Sequence, residues 1–188
     1  MDAVIIAAGY GSRLRELSDS KPLTPVAGVP LIEIGVRQAQ AAGVTRVTVV
    51  TGHAADRLEP FLADLSARTG IPVLAERVAD WSRPNGFSVM AGAARVEAEG
   101  GRDFLLVMAD HIFAADILAR LARTGAANRG VTLAIDRDVT SPLVDPDDAT
   151  WVATGPDGRI RAIGKSIARY DAVDCGAFLV TPELPAAI

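Results

Sequence analysis

The sequence predicts an α/β fold, a Rossmann-like three-layer sandwich around a mostly parallel, mixed sheet. Three observations lead there. Short apolar runs rich in β-branched residues alternate with amphipathic stretches of helical length along the whole chain. The runs are uninterrupted, as strands buried on both faces are. One turn signal, Gly155-Pro156-Asp157-Gly158, separates two runs closely enough to make an antiparallel hairpin.

The elements follow in order. Residues 4–8 form the first strand, broken by Gly9 and Gly11. The irregular segment after it reaches Val26, and Pro22 and Pro25 keep it from becoming a regular helix. Residues 31–42 read as a helix with Ile34, Gln38 and Ala42 at spacing four and Gly43 as a stop. Residues 47–51 are a second strand. Residues 56–68 are a second helix, with Leu58, Phe61, Leu62 and Leu65 on one side and Gly70 after it. A short strand is expected at 71–74. Residues 80–86 are too polar and turn-rich for either regular element, and helix resumes at 88–97 with Ser88 or a neighbour as its cap. The most apolar strand, 104–109, runs straight into Asp110-His111. A helix at 115–127, a strand at 131–135, the hairpin strands 151–154 and 159–163, and a last strand at 175–180 complete the set.

Composition narrows the function. A 188-residue chain is one domain's worth, and 49% hydrophobic residues suffice for a sizeable core, which excludes intrinsic disorder. Nineteen Lys and Arg against 23 Asp and Glu leave a net charge of −4, so no nucleic-acid polymer is indicated as a partner. An anionic small molecule would need positive charge concentrated at one site, against the global sign. Cys175 is the single cysteine, which precludes an internal disulfide and favours a reducing compartment. No apolar run reaches the ~20 residues of a membrane span, and the first residues lack a basic leader. A cytoplasmic protein with no membrane segment in this chain is the expectation.

Ligands of such folds sit at the carboxyl ends of the strands, where the loop Ala7-Ala8-Gly9-Tyr10-Gly11-Ser12-Arg13-Leu14 and Asp110 both fall. Glycines there let backbone N–H groups approach phosphate oxygens. The dinucleotide-binding pattern fails, because Leu14 stands where a third glycine belongs and the second strand ends without an acid. A P-loop at Gly164-Lys165-Ser166 fails as well, since Arg159 replaces the required glycine. What distinguishes the loop is Arg13, with Lys21 in the same irregular segment: a guanidinium and an ammonium beside a backbone nest suit a triphosphate. A turn bearing two solvated cations would look the same, so the loop alone does not decide.

Taken together, Gly9-x-Gly11-Ser12-Arg13 and Lys21-Pro22-Leu23 resemble the signature of the sugar-phosphate nucleotidyltransferase superfamily. Asn85-Gly86-Phe87-Ser88, Met108-Ala109-Asp110-His111, Ile163-Gly164-Lys165 and the stretch from Tyr170 to Phe178 make the chain most similar to the CTP:inositol-1-phosphate cytidylyltransferases. The resemblance implies a reaction in which an acceptor phosphate attacks the α-phosphorus of CTP, giving a CDP-linked product, CDP-inositol foremost, and pyrophosphate. It implies Mg²⁺ as cofactor, bound by Asp110, and CTP with a small phosphorylated acceptor as partners. Ala7, Ala8, Gly9, Gly11, Ser12, Asn85, Gly86 and Ser88 would bind the nucleotide, and Arg13 and Lys21 the triphosphate. Lys165 and Asp174 would hold the acceptor. It further implies a second metal-binding aspartate from a strand near the C-terminus, which this sequence does not show: a C-terminal strand and helix are missing, which is the expectation, or Asp174 or another acid substitutes, or the protein is inactive. Alternatives are a different acceptor (another sugar phosphate, choline phosphate, a molybdenum cofactor) or a nucleotide-binding regulatory module without turnover.

Several of these residues have plainer readings. Asp110 could cap a following helix, Lys165 could be a solvated cation after a hairpin, and Asn85-Gly86 is a turn signal in any protein. Trp81 and Arg83 could line the nucleotide pocket, but Trp81 reads better as packing, His53 as a loop residue, Asp145, Asp147 and Asp148 as a solvated loop, and Cys175 as a small buried residue.

Overall fold

The computed structural model describes residues 1–10, 20–114, 116–124 and 130–188. They divide into two compact units, Met1–Thr132 with Phe178–Ile188, and Leu133–Ala177.

The first unit is built on four parallel strands in the order β5-β4-β1-β6: β1 (Asp2–Ile6), β4 (Arg46–Thr51), β5 (Val73–Arg77) and β6 (Phe104–Met108). Between β1 and β4 lie a 3₁₀ turn at Lys21–Leu23 and a small hairpin, β2 (Pro25–Val26) with β3 (Val29–Pro30). Four helices, α1 (Leu31–Ala41), α2 (Ala55–Thr69), α3 (Asn85–Ala98) and α4 (Ile117–Thr124), cover the sheet. Every residue of β1 is buried, because strands lie on both sides and helices on both faces. Val4, Ile6 and Val50 pack with Val96 of α3 on one face. On the other, α1 passes Ile5 at Gly35, and α4 packs beside α1. Each fully buried aliphatic side chain here stabilises the fold by roughly 1.5–3 kcal/mol.

Helices α1 and α2 are tied by Glu33, which is 7% exposed. Its carboxylate accepts hydrogen bonds from Arg68 Nη1 and Nη2 at 2.9 Å each and from Arg37 at 2.7 and 2.9 Å. The Arg68 hydrogen bonds above all hold this carboxyl below its ordinary range, against the opposing effect of burial. A depressed folded pKa gives stability that is complete above the unfolded value, about 4.3, and is lost as pH falls through the folded one. Glu33→Gln is therefore expected to lower the melting temperature by a few degrees at pH 7, a loss of about 1–2 kcal/mol. The gap between variant and wild type should close as the pH is taken well below 4 in a calorimetric series.

The second unit carries the antiparallel hairpin expected near the C-terminus. The strands β8 (Trp151–Thr154) and β9 (Ile160–Gly164) form the hairpin expected at residues 155–158, with a bulge between Ala153 and Thr154. Strand β10 (Ala172–Val180) pairs antiparallel to β8 at its start, and its last residues, from Phe178, belong to the first unit. β7 (Val131–Asp136) also pairs with β10. Asp171 anchors the hairpin, accepting from Thr154 N at 2.7 Å, from Thr154 Oγ1 at 2.6 Å and from Arg137.

Most elements fall within a few residues of their expected positions, and three differences have physical causes. Strand β5 starts at Val73, two residues late, because it registers with β4 from Val47↔Val73 onward. Helix α3 begins at Asn85, so Asn85 and Gly86 form its first turn and not a loop; Pro84 at φ −52° sets the entry and accepts from Phe87 N at 3.0 Å. Ser88 therefore lies inside the helix and does not cap it. The hairpin of β2 and β3 turns at Ala27 and Gly28, both at positive φ, and its first strand takes up the end of the segment expected to be irregular.

Candidate functional site

The register of the sheet creates the site. Ile6 is level with Val50 on one side and Met108 on the other, so three chains leave the sheet at the same height. Two further hydrogen bonds extend the ladder past the strands, Ala7 N to Val50 O at 2.9 Å and Ala109 N to Ile6 O at 3.0 Å. Gly9, Gly52 and Asp110 thus emerge together on the carboxyl edge.

A cavity of about 190 Å³ opens there, lined by Ile6, Ala7, Gly9, Lys21, Pro22, Asn85, Met108, Ala109 and Asp110. Lys21 is placed by its 3₁₀ turn, in which the buried Pro22 fixes the backbone. Its ammonium donates to Asp110 Oδ2 across 89 residues of sequence. The other oxygen, Oδ1, is 2.9 Å from His111 Nδ1. Since an ionised carboxylate only accepts, Nδ1 carries the proton. The His111 hydrogen bond, opposed by burial and reinforced by the hydrogen bond and charge of Lys21, holds the Asp110 carboxyl well below the usual carboxylate range. Asp110 caps no helix, for α4 begins only at Ile117.

Of the sequence-derived candidates, Ala7, Gly9, Lys21, Asn85 and Asp110 meet at this cavity. Ala8 is buried beneath it, its carbonyl accepting from His53 N at 2.9 Å. Gly86 faces Ile188, and Ser88 is buried in α3; neither lines the cavity. Gly11, Ser12 and Arg13 lie outside the described residues. Lys165 and Asp174 belong to the second unit. Lys165 pairs with Asp148 at 2.9 Å, and Asp174 accepts from Gly176 N at 2.6 Å. Beside them the half-buried Cys175 thiol is pushed up by burial and by the carboxylates of Asp136 and Asp174, which keeps it protonated.

Two features escaped sequence reasoning. Tyr10, His53 and Trp81, from three different loops, form one aromatic cluster, with centroids 4.6 Å (Tyr10–His53), 5.2 Å (His53–Trp81) and 5.9 Å (Tyr10–Trp81) apart. Gly52 makes room for it: a Cβ there would lie 2.6 Å from Trp81 Cβ and 2.9 Å from Ala8 O. The second is Gln38, whose amide hydrogen-bonds both backbone groups of Phe113. A polar residue within the apolar spacing of α1 was its signal.

The donor set can be tested against a metal. Asp110 presents one carboxylate to the cavity, and Lys21 already holds a positive charge against it. Among the described residues no group of three or more His, Cys, Asp or Glu is gathered as a closed cage. A single carboxylate fits a hard divalent ion of the Mg²⁺ kind, which keeps waters and shares its remaining positions with phosphate oxygens.

A model of the MobA-like NTP transferase domain family matches residues 3–155. The chain belongs to this family. Over 179 residues it is 39% identical to the bifunctional IPC transferase and DIPP synthase of Rubrobacter xylanophilus, covering 94% of this chain and 38% of that protein. The protein of the same description from Archaeoglobus fulgidus is 31% identical over 187 residues, 98% of this chain and 34% of its own length. The chain thus spans under two fifths of these curated relatives. Among solved structures, the inositol-1-phosphate CTP transferase from T. maritima superposes with a TM-score of 0.83 at 23% identity, over 98% of this chain and 72% of that one. This likeness establishes the nucleotidyltransferase fold, in which a mostly parallel mixed sheet is flanked by helices. Among the described residues of this family member, no helix is long and apolar enough to cross a membrane.

Proposed function

We propose that this MobA-like domain transfers the cytidylyl group of CTP to the phosphate of inositol 1-phosphate. One observation carries the reading: Lys21 and Asp110, far apart in sequence, form an ion pair on the wall of a cavity at the carboxyl edge of the sheet. The names of the relatives support the choice of CTP and of an inositol phosphate.

In this reaction an acceptor phosphate oxygen forms a bond to the α-phosphorus of CTP. The bond from that phosphorus to the oxygen bridging to the β-phosphate breaks, and pyrophosphate leaves with the electron pair. A phosphate monoester is largely dianionic at neutral pH, its second pKa being about 6, so no general base is needed. The difficulty is bringing two anions together, and the protein's answer is local cation density. Lys21 and Arg13 contact the triphosphate, and Ala7, Ala8, Gly9, Gly11 and Ser12 supply the backbone around it. Asn85, at the mouth of α3, contacts the nucleotide, with Gly86 and Ser88 shaping that turn. Lys165 and Asp174 take the acceptor. Asp110 holds Mg²⁺, which when bound neutralises phosphate charge.

The test is release of pyrophosphate from CTP with inositol 1-phosphate and Mg²⁺, run beside ATP, GTP and UTP and beside choline phosphate and glucose 1-phosphate. CTP with the inositol ester is expected to exceed every other pair by at least tenfold. Equal rates with another acceptor would reassign the substrate, and no release from any pair would remove the proposed activity.

A further inference from the structure

We infer that Gln38 and Phe113 act through His111 as a brace that divides the two oxygens of Asp110, tying one to His111 and turning the other to Lys21 on the cavity wall. This rests on the proposed role of Asp110 as the metal-holding carboxylate.

Residues 109–114, after β6, form no helix or strand, so something else must fix them. Gln38 does so from α1. Its Nε2 donates to Phe113 O at 2.6 Å, and its Oε1 accepts from Phe113 N at 3.3 Å. One side-chain amide thereby plays the part of a neighbouring strand for a single residue. Phe113, 9% exposed, is held in the core, and the His111 ring stacks on it with centroids 6.0 Å apart and planes 19° apart. The stacked imidazole presents Nδ1–H to Asp110 Oδ1 at 2.9 Å.

A carboxylate without this partner is free to rotate, and its two oxygens lose the separate neighbours, His111 Nδ1 and Lys21 Nζ, that fix its plane. With Oδ1 occupied by His111, only Oδ2 faces Lys21. Groups that orient a metal-holding carboxylate in this way are typically worth 10–100-fold in metal affinity or rate. Gln38 and Phe113 are positioning residues, since neither lines the cavity.

Three variants of the full chain separate the parts. Gln38→Met keeps the length of the side chain and loses both hydrogen bonds. His111→Phe keeps the stacked ring and loses Nδ1–H. His111→Asn restores an N–H donor without the ring. Mn²⁺ affinity, read from the electron paramagnetic resonance signal of the free ion with and without CTP, is measured with kcat, the KM for CTP and Tm. Gln38→Met and His111→Phe are expected to weaken Mn²⁺ binding and lower kcat by about tenfold. The KM for CTP should stay within twofold, and His111→Asn, which has the donor but not the stacked ring, should recover little of the loss. Should Gln38→Met fail to fold, Gln38→Glu, which keeps the acceptor and sets a second oxygen against Phe113 O, is expected to show the same split. Wild-type Mn²⁺ affinity in Gln38→Met and His111→Phe, or a fall in Tm alone, overturns the brace. Asp110→Ala run alongside tells the two failures apart. If it loses Mn²⁺ binding while the brace variants do not, only the brace falls; if it keeps Mn²⁺ binding and turnover, the metal role of Asp110 falls and takes the brace with it.

Discussion

Asp110→Asn is expected to lower the rate of nucleotidyl transfer by two to three orders of magnitude while leaving the melting temperature within a few degrees of wild type. The two effects separate because they draw on different interactions. The ion pair with Lys21 is partly exposed, with side-chain accessibilities of 24% and 31%, so water screens it and its worth to stability is about 1 kcal/mol or less. Once substrates fill the cavity and expel that water, the same charges act in a poorer dielectric, where one lost charge-stabilising group costs roughly 10²–10³ in kcat. Asparagine fills the same volume and still accepts from His111, but it turns a neutral amide toward Lys21 in place of a charged oxygen. Lys21→Ala should be comparably slow, since it removes the one described cation lining the cavity. Because the two side chains are in contact, the double variant should lose less than the product of the single losses. Stopped-time measurement of pyrophosphate release, with Tm recorded on the same preparations, checks both statements. Near-wild-type turnover by either single variant would withdraw that residue from the reaction.

The fold was legible because its strands are written as uninterrupted apolar runs and its helices as apolar stripes, with glycines marking the stops. That the core is parallel follows from that alternation, whereas its order, β5-β4-β1-β6, does not. Boundaries failed where a tertiary constraint overrode local preference. Asn85-Gly86 has turn chemistry, yet Pro84 launches α3 there and sheet packing carries it on. The candidate site was legible only in part. Lys21 and Asp110 could be singled out by their motifs, but nothing in residues 21 and 110 taken separately says that they touch. Gln38 shows why the rest stayed hidden. A glutamine in a helical stripe has many uses, and its two bonds to Phe113 span 75 residues. The aromatic cluster is similar, since Tyr10, His53 and Trp81 come from three loops whose proximity depends on the registered ends of β1, β4 and β5.

Gly52→Ala should destabilise the protein by about 1–3 kcal/mol and weaken nucleotide binding severalfold, although no atom of residue 52 lines the cavity. The added methyl would lie 2.6 Å from Trp81 Cβ, 2.9 Å from Ala8 O and 3.1 Å from Ala8 Cβ. Only a flexible side-chain tip yields cheaply, and none of these is one. Ala8 O belongs to the backbone between β1 and Gly9 and is held by His53 N at 2.9 Å. Trp81 is wedged against Tyr10 and His53. Ala54, two residues on, is already in the left-handed region at φ +54°, so the loop has little freedom left to absorb the strain. Relief must come by moving the Ala8–Gly9 peptide, which shifts Gly9 on the cavity wall, or by expelling Trp81, which breaks its packing on Tyr10 and His53. Trp81 makes the outcome visible, because it is one of only two tryptophans and is 38% exposed. A red-shifted emission in Gly52→Ala, abolished when Trp81→Phe is added, would accompany the weaker CTP binding measured by calorimetry. A variant with unchanged emission, stability and CTP affinity would mean that the close approach of the two loops has no bearing on the site.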